Sequence, residues 1–487
     1  MPTERAARAR IGLTSERGPV LLGVMLATGL VAIDSTILAT AVPSVVADLG
    51  GFAQFPWLFS IYLLAQAVSV PLYGKFADLV GRKPMILLGI TIFLVSSVLC
   101  GAAWSMPALI VFRAVQGLGA GAVLPVGQTI MGDIYSIAER GRVMGYVSSV
   151  WALSAVVGPT LGGVFSDYLS WRWIFFVNVP LAIAAIVVLQ RNFAENVTRT
   201  KHSVDYAGAS LLAVGGSLLI LGLLEGGVGW PWGSTMSITV LAAAALLLVA
   251  FRFVEQRSAE PILPLWVFRR RILVGANSVA LCVGVLLIGL TSYVPLYAQG
   301  VLGSSAVVAG LAVAALTLGW PVSASLSGRV YMRFGFRNTA LLGAVLAIGG
   351  AGVLVAVQAG SSVLQLAGAC WLIGLGLGFM SASALVAAQS SAGWQTRGVI
   401  TGANLFARSV GSAIGVAIFG AIANAAVAGQ TSGGATDLQH LPAHVLDTAV
   451  HGVYIGTGIV AMIAIIAIVI MPRRSADLPA MSKGPHD

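Results

Sequence analysis

Fourteen apolar runs follow one another with little polar sequence between them, each about as long as the 20 residues a helix needs to cross the hydrocarbon core of a bilayer. They lie near 20–42, 57–74, 85–104, 108–131, 143–164, 173–190 and 206–225, and then near 235–254, 272–297, 305–327, 338–357, 363–388, 398–424 and 449–471. In lipid, every backbone N–H and C=O of such a run has to be satisfied within its own segment, which selects helices. Of the 487 residues 58% are hydrophobic and 9% charged, against about 25% charged in soluble domains. The longest polar-leaning stretches, near 191–205 and 425–448, are too short for a soluble domain. The expected fold class is an all-α integral membrane protein.

A net charge of +10 invites a nucleic-acid partner, but its distribution argues against one. Of 27 Lys and Arg, Arg113 and Arg408 lie inside runs and Arg172 follows the fifth; the other 24 fall in the two termini or at the even-to-odd connections. Positive residues stay on the cytoplasmic side, so both termini are expected there. Trp57, Trp104, Trp171, Trp230 and Trp232 stand at the opposite ends of the runs, as an interfacial aromatic belt does. The first run, preceded by Arg5, Arg8, Arg10 and Arg17, is too long for a secretory signal and carries Asp34, so it is expected to be a retained span. Cys100, Cys282 and Cys370 lie in apolar runs with no paired spacing, and suggest neither a disulfide framework nor a zinc site.

In the stretch Gly74 to Pro84, GKFADLVGRKP, three cations and one acid crowd between two long apolar runs. Gly74 and Gly81 are expected to permit a tight turn, with Asp78 within reach of Lys75, Arg82 and Lys83. A degenerate copy starts at Gly328: Gly335 matches Gly81, Arg329 and Arg337 match Lys75 and Lys83, and Met332 stands in place of Asp78. The offset is 254 residues, and GLGAG at Gly117 recurs as GLGLG at Gly374, 257 residues on. Two nearly equal offsets imply a duplicated architecture. The expected domains are a six-helix bundle over 1–190, a linker and inserted two-helix hairpin over 191–271, a second six-helix bundle over 272–471, and a cytoplasmic tail over 472–487.

Four motifs carry a family resemblance: Asp34-Ser-Thr36 through Pro43, Gly74 to Pro84, Arg113-x-x-Gln116-Gly117, and Gly158-Pro159-x-x-Gly162-Gly163. In that order and on those spans, the chain resembles the major facilitator superfamily, in its fourteen-span drug:proton antiporter branch. The resemblance covers nearly the whole chain. It implies the major facilitator fold and alternating access by two bundles around a central site. It also implies an antiporter role for Gly158, Pro159, Gly162 and Gly163, a place for Arg113 beside the proton pathway, and a gate at Gly74, Lys75, Asp78, Gly81, Arg82 and Lys83 that latches the outward-open state.

Read as chemistry, Asp34 is the only acid deep in any run, fourteen residues or about 21 Å from its start. A carboxylate in lipid costs roughly 2.5–3.5 kcal/mol on insertion scales and points to function. It is expected to take a proton from the outer side and surrender it inside; the alternative is a structural acid held by Ser35 or Thr36. Arg113 needs acceptors, and the alternative for it is a packing cation held by carbonyls and Gln116. Cys370 occupies its equivalent place in the second half, which concentrates proton handling in the first. Arg408 has no obvious acid partner and can snorkel to the interface. Asp133 is expected to cap helix ends or to meet the cations of the Gly74 to Pro84 stretch. His440, His444, Asp447 and His451 share a helical spacing, but Pro442 interrupts it and no metal is assigned. Trp151, Tyr62, Tyr293, Phe406 and Met380 are candidates to line an apolar cavity.

The expected function is proton-coupled efflux of hydrophobic or amphipathic small molecules, cationic ones among them, from a cell membrane. Export of a lipid or an endogenous natural product is an alternative, and uptake is disfavoured by Gly158 to Gly163. A membrane enzyme would need a nucleophile, a metal cluster or paired carboxylates within the runs, and a receptor would carry a soluble output domain; neither is read here. No cofactor is expected, and the expected partners are substrate, protons and the bilayer, with the chain acting as a monomer.

Overall fold

The computed structural model describes residues 12–50, 57–195, 205–227, 229–258, 261–428 and 442–471. Arg5, Arg8, Arg10, His440 and the tail 472–487 lie outside the described residues. All fourteen expected spans are helices long and apolar enough to cross a membrane. The first six are α1 (Gly18–Leu49), α2 (Trp57–Val80), α3 (Arg82–Gly101), α4 (Met106–Ile134), α5 (Ile137–Tyr168) and α6 (Trp173–Phe176 and Asn178–Asn192, flanking Val177). Then come α7 (Tyr206–Glu225), α8 (Thr235–Arg257), α9 (Arg271–Gly300), α10 (Ala306–Phe334), α11 (Phe336–Val355), α12 (Val363–Ser390), α13 (Arg397–Ala428) and α14 (Ala443–Ile470). No strand accompanies them among the described residues; Gly226 and Trp230 make a single isolated bridge.

Local sequence places the helix ends. Pro19 sits in the first turn of α1, where its missing N–H costs nothing, and Gly50 ends the helix at φ 69°. Ser105, Ser305 and Ser362 accept hydrogen bonds from the first turns of α4, α10 and α12. Ser136 and Glu139 form a reciprocal capping box at the start of α5.

The Gly74 to Pro84 stretch is not the loop its charge suggested. Helix α2 runs through it to Val80, α3 starts at Arg82, and Gly81 alone turns the chain, at φ 111°. Gly335 does the same between α10 and α11, at φ 85°. A positive φ suits a residue without a Cβ, so the glycine was legible while the length of the turn was not.

The chain forms two compact units, Met1–Ser217 with Leu247–Leu265 and Ala392–Phe406, and Leu218–Leu246 with Trp266–Ser391 and Ala407–Asp487; α13 is divided between them after Phe406. Each unit, taken alone, repeats the same glycine contacts. In the first, a Cβ on Gly119 would meet the Gly89 carbonyl oxygen at 2.8 Å and the Phe93 nitrogen at 2.6 Å. In the second, a Cβ on Gly376 would meet the Gly343 carbonyl oxygen at 2.5 Å and the Ala347 nitrogen at 2.9 Å. Gly121 against Gln66 and Gly378 against Trp320 repeat the relation. Helices approach this closely only where side chains are absent, so the duplicated glycines serve one packing scheme.

Candidate functional site

Within the first unit, α1, α3, α4 and α6 converge on a polar cluster sealed in apolar packing. Asp34 and Arg113 are each 1% exposed. The Arg113 guanidinium donates to Asp34 Oδ2 at 2.6 Å, to Gln116 Oε1 at 2.8 Å and to the Leu58 carbonyl oxygen at 3.2 Å. The second carboxylate oxygen accepts from Gln116 Nε2 at 2.9 Å and from Asn178 Nδ2 at 3.2 Å. Ser97 on α3 joins the two amides, accepting from Gln116 at 3.3 Å and from Asn178 at 3.0 Å, and donates to the Phe175 carbonyl oxygen at 2.9 Å. The guanidinium lies 4.2 Å above the Tyr62 ring, where the aromatic face favours a cation.

The cluster removes two candidate partners of Asp34. Ser35 and Thr36 do not hold its carboxylate: both hydroxyls turn back onto α1 carbonyls, and Thr36 also reaches the Ser154 carbonyl oxygen at 2.9 Å. Arg113 has both an ion-pair partner and the carbonyl and Gln116 acceptors of the packing reading. Taking two charges out of water costs several kcal/mol per ion unless geometry and further hydrogen bonds offset it, and here every carboxylate oxygen and most of the guanidinium edge are engaged. Asn178 and Ser97 were missed. The available signal was a lone amide in the apolar run of α6, and nothing in the sequence aimed it at Asp34.

A second cluster gathers at Arg82, which is fully buried. Its guanidinium pairs with Asp78 at 2.9 Å and with Asp133 at 3.0 Å, donates to the carbonyl oxygens of Ala77 and Trp394, and lies 3.7 Å over the Trp394 ring. Asp78 accepts from the backbone N–H groups of Gly398 and Val399, at 2.9 and 2.8 Å, in the first turn of α13. Those donors are left free by helix geometry, and an anion there meets the positive end of the helix dipole. Gly74 belongs to this contact and not to a turn: a Cβ on it would meet the Gly398 carbonyl oxygen at 2.5 Å. Asp133 meets the cations, as one expectation had it, bonding both Arg82 and Arg397.

Neither lysine pairs with Asp78. Lys83 gives its backbone N–H to Glu195 at 2.9 Å and its ammonium to the Gln190 carbonyl oxygen at 2.8 Å, while Lys75 acts electrostatically on Glu255. Lys75 shares a helical face with Asp78 at i,i+3, so spacing alone did not settle its partner, and Lys83 lies beyond the Gly81 turn on α3. Glu195, Trp394 and Arg397 were not assigned from sequence.

Gly158, Pro159, Gly162 and Gly163 lie within the unbroken helix α5. Gly158 lets α5 close on α1: a Cβ on it would meet Thr36 Cβ at 2.9 Å and the Ile37 nitrogen at 3.2 Å, while a Cβ on Gly163 would meet nothing within 4 Å. Arg408, in the second unit, is partly exposed and has no hydrogen bond or ion pair with any described residue. Of the candidate cavity residues, Tyr293 lines a cavity of about 210 Å³ between α9 and α13 with Ile288, Ser292 and Phe419. Met380 is instead fully buried, and Tyr62 lies beneath Arg113. Arg172, the cation that departs from the charge pattern, is paired with Asp48 at 2.6 Å. Trp171 also donates to Asp48, at 3.0 Å, and the Arg172 hydrogen bond, followed by that of Trp171, holds the carboxyl below the usual carboxylate range.

Fourteen apolar helices with an ion pair sealed among the first six define a multi-span membrane protein. The family model described as Major Facilitator Superfamily matches residues 24–416, and the chain belongs to that superfamily. Multidrug resistance protein 3 of Bacillus subtilis is 34% identical over 403 residues, 83% of this chain and 79% of that one. The multidrug transporter protein MdtP of the same organism is 32% identical over 414 residues, 85% of this chain and 76% of that one. The efflux pump dotC of Dothistroma septosporum is 34% identical over 405 residues, 82% of this chain and 70% of that one. Among solved structures, the human organic anion transporter MFSD10 (TETRAN) shares the fold, with a TM-score of 0.65 at 15% identity over 92% of this chain and 99% of that one.

Proposed function

We propose that this transporter is a proton-driven antiporter that exports hydrophobic or amphipathic small molecules, cationic ones among them, by alternating access. In this reading it acts as a monomer in the cell membrane with both termini in the cytoplasm. The single observation that carries the reading is the Asp34 carboxylate, buried within an apolar span, paired with Arg113 and hydrogen-bonded by Gln116 and Asn178. A proton on Asp34 removes the counter-charge of Arg113, and the guanidinium then leans on the Leu58 carbonyl and Gln116, the acceptors already in place. The change in protonation thereby becomes a change in how α1 and α4 are tied. Substrate acts on Asp34 through this rearrangement, since the carboxylate is closed to direct contact. One charge crossing 100 mV supplies about 2.3 kcal/mol, a gradient of roughly fiftyfold. The names of the bacterial and fungal relatives, multidrug transporter and efflux pump, support export. The Asp78 cluster is assigned the gate, because its carboxylate holds the first turn of α13.

The test is a proton-flux assay in sealed vesicles with an imposed gradient and a panel of cationic dyes and lipids, comparing the natural protein with Asp34→Asn. The variant is expected to fold and to lose proton-driven transport. Unimpaired uphill transport by Asp34→Asn removes the assignment.

A further inference from the structure

The second unit holds a titratable pair that the Asp34 mechanism does not use. His451 lies on α14 one turn beyond Asp447, at the end that the charge distribution reads as the outer one. Its Nε2 is 2.8 Å from the Val357 carbonyl oxygen, just past the end of α11. Its Nδ1 is 2.9 Å from the Asp447 carbonyl oxygen and 3.3 Å from Asp447 Oδ1. A carbonyl oxygen only accepts, and a neutral imidazole has one N–H and one lone pair. Whichever nitrogen lost its proton would aim a lone pair at an oxygen. Only the doubly protonated ring donates at both ends, and the carboxylate beside it supplies the counter-charge. Asp447 is oriented in turn by the Tyr297 hydroxyl, which donates to Oδ1 at 2.8 Å. The Tyr297 and Tyr454 rings flank the imidazole at 5.7 and 6.0 Å.

We infer that His451 and Asp447 form a second proton-binding site, separate from Asp34, in which the doubly protonated imidazole ties α14 to the end of α11. The groups that face it are few. Asp447 and Tyr454 come from α14, Tyr297 comes from α9, and Cys370 of α12 lies toward Tyr454. His444, seven residues earlier on α14, is exposed. Residues 350–362 at the end of α11 and 412–428 of α13 contain no ionisable side chain. The Asp447 carbonyl and carboxylate oxygens both face Nδ1 and hold its proton, so the proton that leaves is the one on Nε2, and its loss unmakes the bond to Val357 and loosens the tie. The histidine spacing noted in the sequence thus serves a proton and a backbone carbonyl, and Pro442 starts the helix without interrupting it.

The role of this pair in transport rests on the antiport reading, but its protonation does not, and the experiment separates them. Ring nitrogens are observed by nitrogen-15 NMR of histidine-labelled protein in nanodiscs, with His451→Gln assigning the signal among five histidines. The expected result is that, across a pH series, the change of the His451 ring from two N–H groups to one and the shift of the Val357 carbonyl carbon follow one curve. His451→Gln is expected to abolish the pH-dependent shift at Val357, and Asp447→Asn to move the curve. A ring that never carries both protons while the protein stays folded, or a Val357 signal indifferent to the change at the ring, overturns the inference. If the ring titrates as described while the natural protein transports without regard to any proton gradient, the proton site stands and the antiport reading falls.

Discussion

Asp34 and Arg113 meet at 2.6 Å across α1 and α4, each 1% exposed. The pair closes a contact 79 residues apart in sequence. Removing one member leaves the other charge buried and unmatched, which is more costly than removing both.

Arg113→Gln is therefore expected to lower stability in detergent by about 3–5 kcal/mol, and the double variant Asp34→Asn with Arg113→Gln to recover a substantial part of it. Thermal unfolding of the three variants supplies the comparison. Strictly additive losses would show that the two charges do not act as a pair.

Ser97 is the hub between the Gln116 and Asn178 amides. Ser97→Ala deprives both of an acceptor and is expected to cost roughly 1–3 kcal/mol. It is also expected to weaken proton-driven transport more than transport down a substrate gradient. Equal effects on the two modes would confine Ser97 to packing.

Asp78 and Met332 hold equivalent places in the repeat but opposite environments: Asp78 binds two N–H groups of α13 and Arg82, while Met332 is 53% exposed. Asp78→Asn is expected to reduce transport at least about tenfold at unchanged expression, since it replaces charge-assisted hydrogen bonds. Met332→Gln is expected to behave like the natural protein. Matching losses at both positions would refute the asymmetry.

Two motif glycines separate in the same way. Gly158→Ala drives a methyl into Thr36 and the backbone of Ile37 at the crossing of α1 and α5, next to Asp34, and overpacking of this kind costs about 1–3 kcal/mol. Gly163→Ala enters open space and is expected to be tolerated. Transport and melting temperature of the two variants, side by side, test this; a damaged Gly163→Ala would mean that the site is occupied by something other than protein.

Near the end of α1, the Asp48 carboxyl is held below its ordinary value by hydrogen bonds from Arg172 and Trp171. A lowered folded value means that the stabilisation is present above the ordinary carboxylate range and is lost as pH falls through the lowered one. Asp48→Asn is expected to lower stability by about 0.5 kcal/mol at neutral pH, the scale of an exposed pair. The gap should close in strong acid. A gap that persists there would assign the effect to shape and not to charge.

The sequence by itself determined the fourteen helices and the repeat, because a bilayer leaves a chain no way to satisfy its backbone except locally, and the apolar run is that constraint written out. It also exposed Asp34, Arg113 and Asp78, since a charge among apolar residues stands out wherever its helix points. The tertiary structure decided their partners. In a chain whose helices are apolar on nearly every side, periodicity hardly marks which face turns inward, so nothing local aimed Asn178 and Ser97 at Asp34, or brought the first turn of α13 to Asp78 from 320 residues away. The same holds for Gly74 and His451. Only packing shows that one glycine makes room for a neighbouring carbonyl, and that one imidazole has an oxygen at each nitrogen.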